Sequence, residues 1–210
     1  AGMITLLDIY IGKIIKKLED ENLLDNTIIC FASDNGAASA GGRDRDFFNS
    51  TGNLRGAKGT FFEGGVRTPF FVFWKGKVLP GSKTDHISAF EDVMPTFAEI
   101  AGCRIPDNID GLSFLPSLLG RPQEKNRDYL YWEINTGSHR QAIRKGNWKA
   151  ILFDKPGYPI SLFDLDKDPY ETTDVSNEFP KVVSKMRILM ESARIRNSDY
   201  PLFPDKKLRP

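Results

Sequence analysis

The 210-residue chain carries 29 basic and 28 acidic residues, a net charge of +1, so no whole-chain field selects nucleic acid or an anionic membrane as partner. Hydrophobic residues at 40%, aromatics at 11% and charged residues at 27% are those of a globular protein able to bury a sizeable core. Two cysteines, Cys30 and Cys103, make neither a disulfide framework nor a metal-ligand spacing, and no run is apolar over the length needed to cross a bilayer.

The first four residues lack the charged region of a signal peptide and enter a helical pattern at once, as though continuing a longer sequence. Leu7, Ile11, Ile14, Ile15 and Leu18 fall at helical spacing, with Lys13, Lys16, Lys17, Glu19 and Asp20 on the other face, which predicts a helix over 3–21. Asn22-Leu23-Leu24-Asp25-Asn26 then turns into a strand over 27–33. Its continuous apolar run, Ile28-Ile29-Cys30-Phe31-Ala32, suits a strand covered on both faces, as in a parallel sheet flanked by helices, with Cys30 a buried small hydrophobe. Helix, short turn and buried strand form half of a doubly wound α/β unit, in which ligands gather beyond the carboxyl ends of the strands.

Residues 36–65 read as a long loop punctuated by glycines, and a loop of that length is functional or disordered. Residues 69–74 return to a buried strand, residues 87–90 read as a short further strand, and residues 92–101 as a helix stopped by Gly102 with Pro95 in its first turn. Gly120-Arg121-Pro122 marks a boundary, giving an α/β portion over 1–122 and a C-terminal portion over 123–210. Short strands follow at 129–134, 141–144, 148–153 and 161–165, with Gly146-Asn147 as a hairpin turn, then a helix over 180–195. That pattern predicts a small α+β subdomain with an antiparallel sheet. Eight basic residues after position 180 against three acidic ones, Glu191, Asp199 and Asp205, read as a solvated face and tail.

The residues that could carry chemistry cluster around the first predicted strand. Asp34 and Asn35 offer a carboxylate and an amide oxygen suited to calcium or magnesium, though Asp-Asn-Gly alone is also an ordinary turn. Lys58, between Gly56 and Gly59, would offset charge on a bound sulfate or phosphate, and the glycines would let backbone approach an anion. They do not form the phosphate loop of nucleotide-binding proteins. His86 reads as structural, whereas His139, in the polar stretch Thr136-Gly137-Ser138-His139-Arg140, is free to touch a substrate, as are Arg43, Arg45 and Arg140. No Ser-His-Asp signature is present.

An ordered series of short motifs resembles the sulfatase family, within the wider alkaline-phosphatase-like group. It runs from Leu24-Asp25-Asn26-Thr27 and Ser33-Asp34-Asn35-Gly36 through Leu54-Arg55-Gly56-Ala57-Lys58-Gly59-Thr60 to Glu63-Gly64-Gly65-Val66-Arg67-Thr68-Pro69. Trp74-Lys75-Gly76-Lys77, Asp92-Val93-Met94-Pro95-Thr96 and Ile109-Asp110-Gly111-Leu112-Ser113 continue it. Arg144-Lys145-Gly146-Asn147-Trp148-Lys149 and the stretch from Leu162 to Thr172 complete it. The resemblance implies a partial doubly wound sheet of the sulfatase and alkaline-phosphatase type, followed by the C-terminal α+β subdomain. It implies that Asp34 and Asn35 are two ligands of a divalent cation, calcium or magnesium, and that Lys58 contacts the sulfate.

The family's nucleophile is a formylglycine made from the first residue of a Cys/Ser-x-Pro-x-Arg motif. No such run occurs here, Cys103-Arg104-Ile105-Pro106-Asp107 being the nearest approach. The family's early aspartate pair, upstream lysine and histidines are also missing, and all of these lie N-terminal to the part that matches. The resemblance therefore implies the C-terminal part of a sulfatase, inactive alone, from an exported protein, periplasmic or secreted, whose substrate is a sulfated glycan or small molecule. Two other readings stay open: a phosphodiesterase or phosphonate hydrolase of the same superfamily, and a non-catalytic module that binds sulfated glycans.

Overall fold

A computed structural model describes residues 2–39, 41–42, 44–153 and 159–203, with the side chain of His139 left out. It is a mixed α/β structure in two units, one comprising Ala1–Ala32 and Pro69–Asn126, the other Ser33–Thr68 and Arg127–Pro210. The units are not contiguous in sequence, because the glycine-rich segment folds with the C-terminal sheet. No helix among the described residues is long and apolar enough to cross a membrane.

In the first unit, helix α1 (Gly2–Asp20) carries no buried residue and bears exposed i,i+4 ion pairs, Lys16 with Asp20 and Lys17 with Glu21. Asn22, at φ 58°, takes the left-handed position past the helix end, and the Leu23 N–H returns to the Leu18 carbonyl. Strands β1 (Ile28–Ala32) and β2 (Phe70–Trp74) pair antiparallel, Ile28 opposite Trp74 and Ala32 opposite Phe70. The expectation of a strand covered on both faces fails: no residue of β1 or β2 is fully buried, and Phe71 is 64% exposed. Each strand has one sheet neighbour among the described residues, and Cys30, expected inside, is exposed.

Between β2 and the next helix no strand forms at 87–90. The Asp92 carboxylate instead accepts the Ala89 N–H at 2.8 Å and starts a helical turn, Phe90–Asp92, that runs into α3 (Val93–Ile100). Asp92 also accepts the Leu112 N–H at 2.7 Å, and the Thr96 hydroxyl accepts the Phe114 N–H at 3.0 Å. These two side chains fasten residues 111–114 across α3, with Pro95 inside its first turn and buried. The short helix α4 spans Leu115–Leu118.

The second unit centres on an antiparallel sheet in the order β3 (Leu130–Glu133), β4 (His139–Lys145), β5 (Trp148–Phe153) and β6 (Ser161–Asp164). Alternation sends Ile143, Ala150, Leu152 and Leu162 to one face, where Met186 and Met190 of helix α5 (Pro180–Ser192) meet them. Ala142, Ile151 and Phe163 point to the other face and meet Phe61 and Phe62 of the glycine-rich segment. The sheet is thus covered on both sides, and Ala142, Ile143, Ala150, Ile151 and Leu162 are fully buried. Gly146, at φ 58°, makes the β4–β5 turn as expected.

Candidate active site

The site residues that the sequence points to all lie in the second unit. The Ser33 hydroxyl donates to the Asn35 carbonyl at 2.8 Å, and the Asn35 side-chain amide donates to Oδ1 of Asp34. The Asn35 amide oxygen is thereby left as an acceptor beside an exposed carboxylate. The next residue fixes where this pair sits. The Gly36 N–H donates to the Gly65 carbonyl at 2.9 Å, and a Cβ on Gly36 would stand 1.9 Å from the Gly64 carbonyl oxygen. Only glycine fits that approach.

Lys58 is brought alongside by backbone pairing. Its N–H donates to the Ala37 carbonyl at 3.0 Å, two residues beyond Asn35, while the Gly64 N–H donates to the Arg55 carbonyl at 2.7 Å. Gly64 and Gly65 belong to the four-residue helix α2 (Glu63–Val66), so segments 34–37, 55–58 and α2 form one hydrogen-bonded unit. The Lys58 side chain is exposed and makes no ion pair among the described residues, leaving its ammonium available to an anion. The tight turn at its back is closed by the Thr60 hydroxyl, which bonds Ala57 N–H at 3.1 Å and Ala57 carbonyl at 2.8 Å. Gly56, at φ 84°, serves this turn: a Cβ there would lie 2.4 Å from Thr60 Oγ1.

Beneath the loop lies a buried charged cluster that the sequence reading missed. Nζ of Lys149, on β5, sits 2.8 Å from Glu63 Oε1 and 3.1 Å from Glu171 Oε1, with all three side chains at most 3% exposed. Glu171 Oε2 also accepts the Glu63 N–H at 2.5 Å, at the start of α2. The guanidinium groups of Arg144 and Arg67 stand 3.7 and 3.9 Å from Glu63 Oε2 and offset the second negative charge. Arg55 donates to the Glu171 carbonyl at 2.6 Å while stacked 4.0 Å from the Phe62 ring centroid. Glu171 holds a left-handed backbone at φ 55°, and burial, opposed by Lys149 and the Glu63 N–H, pushes its carboxyl above the ordinary value. One signal was available in sequence: a lysine set between Trp148 and the apolar run Ala150-Ile151-Leu152 of a strand needs a buried partner.

Other sequence-predicted contacts fare differently. Arg140 belongs to β4 rather than a loop and is 1% exposed, its Nη1 3.5 Å from the Ile134 carbonyl, so it cannot meet a sugar. The strand reaches further back than expected because the Ile134 N–H pairs with the Arg140 carbonyl at 3.0 Å. His139 is the first residue of β4, at a register irregularity, and its side chain lies outside the described atoms. Arg43 is also outside the described residues, while Arg45 pairs with Asp46 at 3.2 Å. In the basic C-terminal stretch, Arg194 is bound to Glu133 at 2.8 Å, and Lys206, Lys207 and Arg209 fall outside the described residues.

Hard oxygen donors at Asp34 and Asn35 fit a divalent cation in kind, and they would be two of the about six to eight ligands that calcium takes. No group of three or more carboxylate, histidine or cysteine side chains able to hold a metal occurs among the described residues. The pair therefore suits a partial coordination shell.

Comparison with known proteins gives this arrangement its family. A model of the sulfatase family matches residues 1–103, and a model of the N-sulphoglucosamine sulphohydrolase C-terminal region matches residues 57–196. An arylsulfatase of Clostridium perfringens is 33% identical over 207 residues, covering 95% of this chain and 40% of the relative. An N-acetylgalactosamine-6-O-sulfatase of Bacteroides thetaiotaomicron is 31% identical over 215 residues, covering 92% of this chain and 41% of the relative. The crystal structure of Ps i-CgsB in complex with k-i-k-neocarrahexaose superposes with a TM-score of 0.77 at 29% identity, covering 98% of this chain and 45% of that one. The chain thus spans about two-fifths of the length of the curated relatives it matches. It belongs to the sulfatase family.

Proposed function

We propose that this chain supplies the sulfate-binding and part of the cation-binding apparatus of a sulfate-ester hydrolase. Asp34 and Asn35 act as two oxygen ligands of a calcium or magnesium ion. Lys58 places its ammonium against the sulfate oxygens, where it offsets the negative charge that builds up as the ester bond breaks. The cation, when bound, supplies further positive charge against the same oxygens. The observation that carries the reading is the backbone pairing of Lys58 with Ala37 and of Gly36 with Gly65, which joins the segment of the oxygen pair to that of the lysine.

The 210 residues contain no Cys/Ser-x-Pro-x-Arg run, so they offer no nucleophile of the family type. Hydrolysis would need that group from sequence beyond this chain. A carbohydrate sulfate ester is the substrate we favour, supported by the similarity to an N-acetylgalactosamine-6-O-sulfatase and to a protein solved with a neocarrahexaose. Release of 4-nitrophenol from its sulfate ester tests this. The 210-residue chain alone should give none, and a protein joining it to the nucleophile-bearing part of an arylsulfatase should give turnover that a calcium chelator abolishes. Turnover by the chain alone, or chelator-resistant turnover by the joined protein, would contradict the reading.

A further inference from the structure

Ala57, Phe61 and Phe62 give the glycine-rich segment apolar anchorage on the sheet side. The candidate ligands lie off that anchor: Asp34, Lys58 and Gly59 are exposed, and the Asn35 side-chain amide bonds Asp34. A continuous run of hydrogen bonds and ion pairs links them to the sheet. It starts at Lys149 on β5, passes to Glu63 and Glu171, and enters α2 through the Glu63 N–H bonded to Glu171. From α2 it divides, through the Gly65 carbonyl to Gly36 beside Asn35, and through the Gly64 N–H to Arg55, three residues before Lys58. The two arms meet again where the Lys58 N–H bonds Ala37, and Arg55 closes the circuit on the Glu171 carbonyl.

We infer that Glu63, Lys149 and Glu171 are positioning residues for sulfate-ester hydrolysis, holding the Asp34–Asn35 pair and Lys58 at a fixed spacing through α2. The inference rests on the proposed roles of Asp34, Asn35 and Lys58. Burial of charge gives the physical reason. A buried ion pair is weak support for stability, since apolar residues of the same size serve as well or better, whereas directional charged contacts select one arrangement of the groups they join. Lys149 sits on the sheet face that otherwise packs Ala142, Ile151 and Phe163 against Phe61 and Phe62, where a methionine would satisfy packing alone. The cluster joins β5, α2 and the turn at Glu171, three segments far apart in sequence. Gly36 and Gly64 then transmit that position to the site, because their backbones touch with no room for a side chain.

Amide hydrogen exchange on the whole chain tests the inference without any need for turnover. In Glu171→Ala the Glu63 N–H loses its acceptor and Lys149 loses one partner. Exchange at the Gly36, Lys58 and Gly64 amides should then quicken by about tenfold or more, while Ala142, Ile143, Ala150 and Ile151 in the sheet stay protected. Glu171→Gln, which keeps an acceptor oxygen, should stay within about threefold of the parent at the same amides. Unchanged exchange at Gly36, Lys58 and Gly64 in Glu171→Ala overturns the inference. If Glu171→Ala does not fold, Arg55→Ala carries the test, since Arg55 is exposed and its loss buries no unpaired charge. A selective rise at Gly64 and Lys58 supports positioning, and no rise there overturns it. Lys58→Ala separates this inference from the proposed activity: it leaves exchange at Gly36 unchanged, and its effect on sulfate release in the joined protein bears on the activity alone.

Discussion

In the unit built on β3–β6, four of the six residues of β5 are buried, whereas in the unit built on β1 and β2 neither strand buries a single residue. The two sets of strands are similarly apolar. β5 reads Trp-Lys-Ala-Ile-Leu-Phe and β1 reads Ile-Ile-Cys-Phe-Ala. Coverage makes the difference. β5 has β4 and β6 on its edges, α5 on one face and Phe61 and Phe62 on the other. Among the described residues β1 has β2 alone as sheet partner, and Phe31, Phe70, Phe71 and Phe73 remain exposed. An apolar strand is buried by its neighbours and not by its own composition. The buried unit is also the one that carries Asp34, Asn35 and Lys58, so the candidate chemistry rests on the better-packed half of the molecule.

The comparison breaks most readily at Lys149. Lys149→Ala leaves the Glu171 carboxylate buried without the Lys149 cation and Glu63 with only the more distant Arg144 and Arg67, and should destabilise the unit by about 3–5 kcal/mol, read as a lowered urea midpoint. A loss below about 1 kcal/mol would mean that packing alone holds the glycine-rich segment on the sheet. Gly36→Ala is the next largest effect. Its Cβ meets backbone 1.9 Å away, so the loop must shift, at a cost of about 1–3 kcal/mol. Near-neutral behaviour would show that the close contact with Gly64 is not kept in solution.

A pH series sharpens the contrast inside the buried unit. Burial raises the Glu171 carboxyl above the ordinary glutamate value, so its favourable contribution is complete below about pH 4.3 and is lost as pH rises through the raised folded value. Asp164 behaves oppositely. The Asn147 amide, 2.7 Å away, lowers its pKa, so its contribution is present above about pH 3.9 and is lost as pH falls through the lowered value. Glu171→Gln should therefore lose less stability than the parent as pH rises above about 4.3, while its fall in stronger acid is unchanged. Equal slopes in the two chains would remove Glu171 from the titration. The smallest effect belongs to the exposed unit: Phe71→Ser, at 64% exposure, should change stability by at most about 0.5 kcal/mol and reduce self-association on a sizing column. A larger loss would show that Phe71 is covered.

Much of this arrangement was legible in the chain. Strands β3, β5 and β6, helices α3 and α5, and the Gly146 turn stand within a few residues of where periodicity and turn chemistry place them. The motif around Lys58 and the Asp34-Asn35 pair points to the family, because an ordered series of short motifs is specific where each piece alone is ordinary. Burial was not legible for β1, since an apolar run shows what a strand could bury and not which neighbours it has. The partnership of Lys149 with Glu63 and Glu171 escaped for a related reason. Its members are 86 and 22 residues from Lys149, and nothing in either distance marks a contact. Arg140 was misplaced because the polar stretch before it hid a strand that begins at His139, two residues before the expected start at 141.

The most direct test of the account is the rate of sulfate-ester hydrolysis in the joined protein with Lys58→Ala. If the loop presents Lys58 to the sulfate, kcat/KM should fall by about 100-fold or more, with the urea midpoint unchanged because the side chain is exposed and makes no ion pair among the described residues. An unchanged kcat/KM in a folded Lys58→Ala protein would contradict it.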